Sequence, residues 1–396
     1  MLAGLAPYLL SDQLADALDA AATIRDSARG HALKGLAPYL PPDQLADALD
    51  AATAISDADF RAKALTGLAP HLGTDQLARA LDAATAFSDG SARAQVLPGL
   101  APHLDPDQLA RALDAATAVS DDFCRAAALT GLAPHLPPDQ QPDALARALD
   151  AATAVSDGFY RVLALIDLIP HLPHDQRPDA LARALDTATA VSDDYYRALG
   201  LTRLAPHLPP EQRPDALARA LDTATAISDD YARMLALTEL AQHLAPDQLT
   251  RALDAATAIG DESHRALALT GLARHLRPDQ LARALDIAIA ISSPSHRAQA
   301  LTRLAPHLPP DQLTRAMNAY TSISDIEATT AILIRGEAIL PVAEYGDLLR
   351  FSLNGRSRAF CLSVVTRMAS SIVKYGGVSA VSECVRAITD VSRWWP

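Results

Sequence analysis

Histidines recur at one position along the chain: His71, His103, His135, His171, His207, His243, His275 and His307 each follow a proline or the residue replacing it. Imidazole is a common zinc ligand, but a metal needs its ligands gathered at about 2 Å from one ion. Packed helices lie about 8–10 Å apart, so one histidine per helix pair spreads the column too widely for that. The histidines read instead as closing the C-terminal ends of helices. His171-Leu172-Pro173-His174 is a single HxxH with no further ligand near it in sequence.

A second column holds Arg79, Arg111, Arg147, Arg183, Arg219, Arg251, Arg283 and Arg315. Each precedes by three residues Asp82, Asp114, Asp150, Asp186, Asp222, Asp254, Asp286 or Asn318. Such a ladder could meet phosphates or acidic partners, or it could be a solvated face neutralised by those aspartates. Arg147, Arg183 and Arg219 lie in the longest units and are the candidates for partner contact. Aromatic residues gather nearby. Phe123, Phe159, Tyr160, Tyr195, Tyr196 and Tyr231 are six of only 15 Phe and Tyr residues, and all fall at the starts of helices in the middle of the chain. Interface anchors are commonly aromatic, so these six are candidate partner-binding residues, with gap filling between wider units as the alternative.

Catalytic signatures are absent: no GxxxxGK[ST], HExxH, GxSxG or GxGxxG occurs. Cys124, Cys361 and Cys384 are far apart and form no CxxC pair, which indicates neither a disulfide framework nor a zinc knuckle. No catalysis, cofactor or metal is expected.

The elements that position these residues come from a repeat. Leu-Ala-Pro or a variant places its third residue at 7, 38, 70, 102, 134, 170, 206, 242, 274 and 306, at intervals of 31, 32, 32, 32, 36, 36, 36, 32 and 32. Periods in this range mark stacked supersecondary units, none of which can bury its apolar face alone. Ser192-Asp193-Asp194-Tyr195-Tyr196-Arg197 opens a first helix, with Ser expected as N-cap and acids in the first turn, where the helix dipole favours them. Asp193 and Arg197, four apart, are expected to pair, as are 57/61, 89/93, 121/125, 157/161, 229/233 and 261/265. The helix should end near Leu204-Ala205-Pro206, because proline lacks the backbone donor. In the second helix, Leu77, Ala80, Leu81, Ala84 and Phe87 fall on one stripe, with Arg79 and Asp82 off it. Units five to seven insert Gln141-Pro142-Asp143-Ala144, Arg177-Pro178-Asp179-Ala180 and Arg213-Pro214-Asp215-Ala216. Each inserted proline suits the first position of a helix, and the preceding Pro-Pro-Asp-Gln segment should form an extra turn.

After about Asn318 the consensus fades, though Ala328–Leu340, Tyr345–Leu353, Arg358–Lys374 and Val378–Trp394 still read as helices. Residues 1–318 are therefore expected to be the repeat array and 319–396 a divergent helical cap. Residues 350–396 carry seven basic side chains (Arg350, Arg356, Arg358, Arg367, Lys374, Arg386 and Arg393) against Glu383 and Asp390. Met1 enters midway through a first helix without a Ser-Asp opening, so a preceding domain or a partner is expected to cover an apolar face there.

The net charge of −13 opposes a general affinity for nucleic acid or anionic membranes, which rests on accumulated Lys and Arg. No apolar run approaches the roughly 18–20 residues that span a bilayer, so no membrane role is expected. Cysteine usage fits a cytoplasmic location. Three lysines against 31 arginines in an Ala-rich chain point to a GC-rich bacterial genome.

Paired helices, a proline breaking the first, an acid in the connection and an arginine on the helix together resemble HEAT-like repeats over residues 1–318. The array is also similar to the repeat regions of bacterial STAND-type signalling and defence proteins, without their ATPase core. The resemblance implies a superhelical scaffold for protein binding. The expected fold is all-α, a right-handed α-solenoid superhelix of about 10–12 antiparallel helix pairs. The expected partner is another protein, with nucleic acid along the arginine column and basic cap as the alternative.

Overall fold

A computed structural model describes residues 6–320, 326–340, 345–347, 349, 353 and 357–394. Among them the chain is an all-α solenoid of helix pairs, with no β-strand. Contacts divide it into two compact units, Met1–Val191 and Ser192–Pro396.

In the first unit the second helices of successive repeats are α1 (Ser11–Thr23), α3 (Pro42–Thr53), α5 (Thr74–Thr85), α7 (Pro106–Thr117), α9 (Gln141–Ala154) and α11 (Arg177–Ala190). The first helices between them are α2 (Asp26–Leu36), α4 (Ala58–Leu68), α6 (Gly90–Leu100), α8 (Asp122–Leu132) and α10 (Gly158–Leu168). In the second unit, first helices α12 (Asp194–Leu204), α14 (Asp230–Leu240), α16 (Glu262–Ala273) and α18 (Pro294–Leu304) alternate with α13 (Arg213–Ala226), α15 (Pro246–Thr257), α17 (Pro278–Ile289) and α19 (Pro310–Tyr320). Helices α20 (Ile326–Ile339), α21 (Arg358–Arg367) and α22 (Ala369–Trp394) follow. First helices stack on first helices within each unit, and second helices on second helices through the short repeats, which gives two layers.

The apolar stripe read from the sequence is the core: Leu77, Ala80, Leu81, Ala84 and Phe87 are buried, while Arg79 and Asp82 are exposed. Fully buried alanines such as Ala48, Ala80, Ala112 and Ala252 occupy the same position in successive second helices. Small residues there permit close helix approach. Apart from α16, which ends at Ala273, the first helices α2 to α18 end at a leucine and continue into a 3-10 turn of the Ala-Pro-His type, for example Ala205–His207. The cap of that turn is a backbone bond, Leu72 N–H to Ala69 O at 3.3 Å, and not the imidazole expected to close it. The histidines lie at the surface; His275 accepts a bond at Nε2 from Arg274 Nε at 2.9 Å.

The helix starts differ from expectation in two ways. The N-cap is the aspartate after the serine: Asp193 accepts from the Tyr196 amide at 3.0 Å, and Asp57, Asp121 and Asp229 cap likewise. A carboxylate oxygen reaches the third helical N–H and carries the charge that the helix dipole favours. With that aspartate turned to the helix end, the ion pairs at these starts join the arginine to the next acid, three residues before it, as in Arg125–Asp122, Arg197–Asp194 and Arg265–Glu262. The same arginines reach backward as well. Arg61, Arg125, Arg161, Arg233, Arg265 and Arg297 donate to the carbonyls of Ile55, Val119, Val155, Ile227, Ile259 and Ile291, at 2.6–3.1 Å. Each bond ties the end of one second helix to the first helix that follows.

In the long repeats, Pro138–Gln140 forms the expected extra turn, and proline takes the second helical position, one later than expected, because Gln140 is the N-cap. In short repeats the Asp-Gln glutamine sits third in the helix. Gln76 accepts from the Gly73 amide at 3.0 Å and donates to Pro42 O of the preceding repeat at 3.1 Å. The insertion replaces this link between repeats by bonds inside one repeat: Gln141, Arg177 and Arg213 donate to the Leu136, Leu172 and Leu208 carbonyls at 2.7–2.9 Å.

The segment expected as a helix at Tyr345–Leu353 lies partly outside the described residues, as do Arg350 and Arg356 of the basic cap and the start of the chain at residues 1–5. Gly377, with φ +74°, interrupts α22, where Gly376-Gly377 was expected to separate two helices.

Asp193→Ala is expected to lower chain stability by about 0.5–2 kcal/mol, the usual loss of an N-cap, and Ser192→Ala to leave it nearly unchanged. Urea unfolding followed by far-UV circular dichroism checks both.

Candidate functional site

All six candidate aromatics lie in the first turn of first helices α8, α10, α12 and α14. They do not share one role. In the first unit Phe159 is only 7% exposed and packs inward, whereas Tyr160, its neighbour, is 49% exposed. Tyr160 meets Phe123 of the preceding repeat edge-on, with centroids 5.4 Å apart, and Phe159 at 5.7 Å. Phe123 and Tyr160 line a cleft of about 270 Å³ with Asp121, Asp122, Val155, Ser156 and Asp157.

The carboxylates of this cleft are held in place. Asp121 accepts from the Cys124 amide at 2.8 Å, and Asp157 from the Phe159 and Tyr160 amides at 2.9 and 3.1 Å. The hydrogen bonds from Cys124 hold the Asp121 carboxyl below its ordinary range. Burial, reinforced by Asp121, pushes the Cys124 thiol up to about 12, so it stays a neutral thiol rather than a nucleophile. The cleft therefore offers two aromatic surfaces beside Asp121 and Asp157, with Asp122 already paired to Arg125, an environment suited to a cationic side chain.

The second unit carries its own aromatic helix starts. Tyr195 and Tyr196 lie 5.2 Å apart, and burial raises the Tyr195 hydroxyl above its ordinary value. Tyr196 is 44% exposed, and Tyr231 is 53% exposed with His264 of the next repeat at 5.4 Å. His264 stands three residues after its capping Asp261, the position of Tyr160 after Asp157 and of Phe60 after Asp57. Phe60 and His264 share this position with Tyr160 and Tyr196, whereas Phe123, Phe159, Tyr195 and Tyr231 stand two residues after their aspartates; counting from the capping aspartate is the signal that finds them.

The arginine column pairs across repeats. Arg79, Arg111, Arg251, Arg283 and Arg315 contact Asp50, Asp82, Asp222, Asp254 and Asp286, each 29 residues earlier, and not the aspartate three residues ahead. Exposed pairs of this kind add only about 0–1 kcal/mol each. The long repeats break the pattern. Arg147 pairs with Asp143 of its own inserted turn at 2.7 Å. Arg183 and Arg219 are exposed and have no acidic partner within 4 Å among the described residues.

No three His, Cys, Asp or Glu side chains are grouped to hold a metal ion among the described residues, and no helix there is long and apolar enough to cross a membrane.

No protein-family model matches the chain, and no curated protein matches it in sequence. Among solved structures it is similar to Kap121p bound to Nup53p, at 14% identity over 96% of this chain and 51% of that one, with a TM-score of 0.41. It is also similar to a homology model of the full-length AP-3 complex in an intermediate open conformation, at 11% identity over 96% and 84% with a TM-score of 0.37. Ton1535 from Thermococcus onnurineus NA1 matches at 18% identity over 78% and 95%, with a TM-score of 0.25. The chain spans about half the length of the Kap121p chains it matches.

Hydrogen bonds from Ser263 and the His264 amide hold the Asp261 carboxyl down, to about 2 from 3.8. A depressed folded-state value means that the carboxylate's contribution is complete above pH 3.8 and is lost as the pH falls toward 2. Asp261→Asn, whose cap does not titrate, is expected to lose less stability over that window than the parent chain. Urea midpoints measured at pH 5, 4, 3 and 2 check it.

Proposed function

We propose that the chain is a non-catalytic protein-interaction scaffold, with residues 1–318 as the HEAT-like array and 319–396 as its cap, working in the cytoplasm. The observation that carries this reading is the exposure of Tyr160, Tyr196 and Tyr231 at capped helix starts, in a chain that spends few aromatics and buries Phe159 beside one of them. Core packing explains Phe159; it leaves the three tyrosines unexplained, and rigid aromatic anchors are what protein interfaces use. The acids beside them, and the net charge of −13, select a partner segment rich in Lys or Arg. Arg183 and Arg219 lie on the second helices of the repeats that carry Tyr160 and Tyr196, and Arg147 on that of the Phe123 repeat; these arginines would meet acidic residues of that partner. A sensor role like that of STAND repeat regions is the form of scaffold the sequence resemblance favours.

The pairing of five column arginines with aspartates weakens the alternative of nucleic-acid binding, since those guanidinium groups already face carboxylates.

A peptide array graded in Lys and Arg content tests the reading. Retention of the chain is expected to rise with basic content. Replacing Tyr160, Tyr196 and Tyr231 together by Ser should weaken it roughly tenfold with unchanged helicity. Retention indifferent to the three changes would remove the tyrosines from the site.

A further inference from the structure

One hollow of the first unit lies away from the aromatic cleft, across consecutive first helices. It has a volume of about 470 Å³, within the size range of small-molecule sites, and opens across the first helices α2, α4 and α6. His31 and Lys34 come from α2, Phe60, Lys63 and Thr66 from α4, and Gln95 from α6.

The chain has only three lysines, and two of them line this hollow. No carboxylate lines it. Neither Lys34 nor Lys63 has an acidic partner within 4 Å among the described residues, although Asp59 lies only four residues before Lys63 on α4. The third lysine, Lys374, is paired with Glu337, and the arginines are mostly engaged with carbonyls or aspartates. The Lys34 and Lys63 ammonium groups are exposed and unengaged by acids.

The repeat shows that this is a departure and not a default. His31, Lys63 and Gln95 occupy one repeat position, six residues after the N-cap. The same position holds Ala127, Leu163, Leu199, Leu235 and Leu267 in the following repeats, and Gln299 in the repeat after them. Lys34 occupies another, nine residues after the N-cap, which holds Thr66, Thr130, Thr202, Thr238, Thr270 and Thr302 in six repeats, Pro98 in one and Ile166 in one. Leucine recurs at the first position and threonine at the second, so Lys63 and Lys34, the only lysines at these positions in any repeat, need a different cause.

Local packing constrains the stem of Lys34. A Cβ on Gly67 would come within 2.9 Å of Lys34 Cβ and Cγ, so the glycine makes room for the aliphatic stem of Lys34 as it crosses α4. His31 Nδ1 donates to Ser27 O at 2.9 Å, which leaves Nε2 as the ring's outward nitrogen. Lys63 Nζ lies 5.6 Å from the Phe60 ring centroid.

We infer that this hollow binds a small anion bearing two or more phosphate groups, with Lys34 and Lys63 as its charge partners and His31, Thr66 and Gln95 as hydrogen-bonding groups. Two ammonium groups in a hollow without carboxylates suit a polyanion, and phosphate chains concentrate more charge in this volume than a carboxylate does. The phosphates could belong to inorganic polyphosphate or to a nucleotide.

Isothermal titration at low salt with inorganic tripolyphosphate, and separately with a nucleoside triphosphate, both free of divalent metal, decides the matter. The expected result is saturable one-to-one binding that weakens about tenfold or more in Lys34→Gln/Lys63→Gln, with helicity unchanged and with Arg283→Gln binding like the parent. Gly67→Ala, which displaces Lys34 and keeps every charge, should weaken binding as well. Tighter binding of the nucleotide than of tripolyphosphate assigns the phosphates to a nucleotide, and equal binding assigns them to the phosphate chain alone. Absence of saturable binding overturns the inference, as does an equal loss in Arg283→Gln and the lysine variant.

Discussion

The bond on which the solenoid depends runs from the arginine of each first helix back to the carbonyl that ends the preceding second helix. A helix leaves its last carbonyls without partners, and here the chain must also turn sharply into the next pair. A long side chain from the following helix is the group that can reach that carbonyl without adding residues to the loop. The guanidinium has donors to spare, so it also meets the acid three residues before it, as Arg125 and Arg265 do. The repeating apolar layers determine that helix pairs stack; this arginine fixes how one pair enters the next.

With that junction fixed, the other polar links follow from repeat length. A short repeat brings the third-position glutamine of one second helix to the start of the previous one, and brings its column arginine to the previous aspartate. Four added residues move both out of step. The inserted turn then supplies its own partners: Gln141, Arg177 and Arg213 close on carbonyls of their own repeat, and Arg183 and Arg219 are left exposed. The exposed Tyr160 and Tyr196 belong to two of these same long repeats, and Tyr231 to the short repeat that follows.

The layers were legible because a stripe such as Leu77, Ala80, Leu81, Ala84 and Phe87 has one physical use. Local charge was less legible. Asp193 and Arg197 are four residues apart and look like a pair, yet an aspartate at a helix start does more by capping N–H groups. Arg79 and Asp82 share a helix, but their partners lie one repeat away, a distance that only the stacked structure reveals. The aromatic column was visible in part: composition singled out the tyrosines, and counting from the capping aspartate adds Phe60 and His264. Lys34 and Lys63 were read as a trait of the genome because their scarcity was noted and their shared position across repeats was not.

The junction bond is tested most directly by Arg265→Met, which keeps the aliphatic stem and removes every donor to Ile259 O, compared with Arg283→Met, which removes only an exposed ion pair. Urea unfolding is the measurement. The junction account predicts a loss of about 1–3 kcal/mol for the first and under about 1 kcal/mol for the second. Equal effects of the two substitutions, or an unchanged midpoint for Arg265→Met, would contradict it.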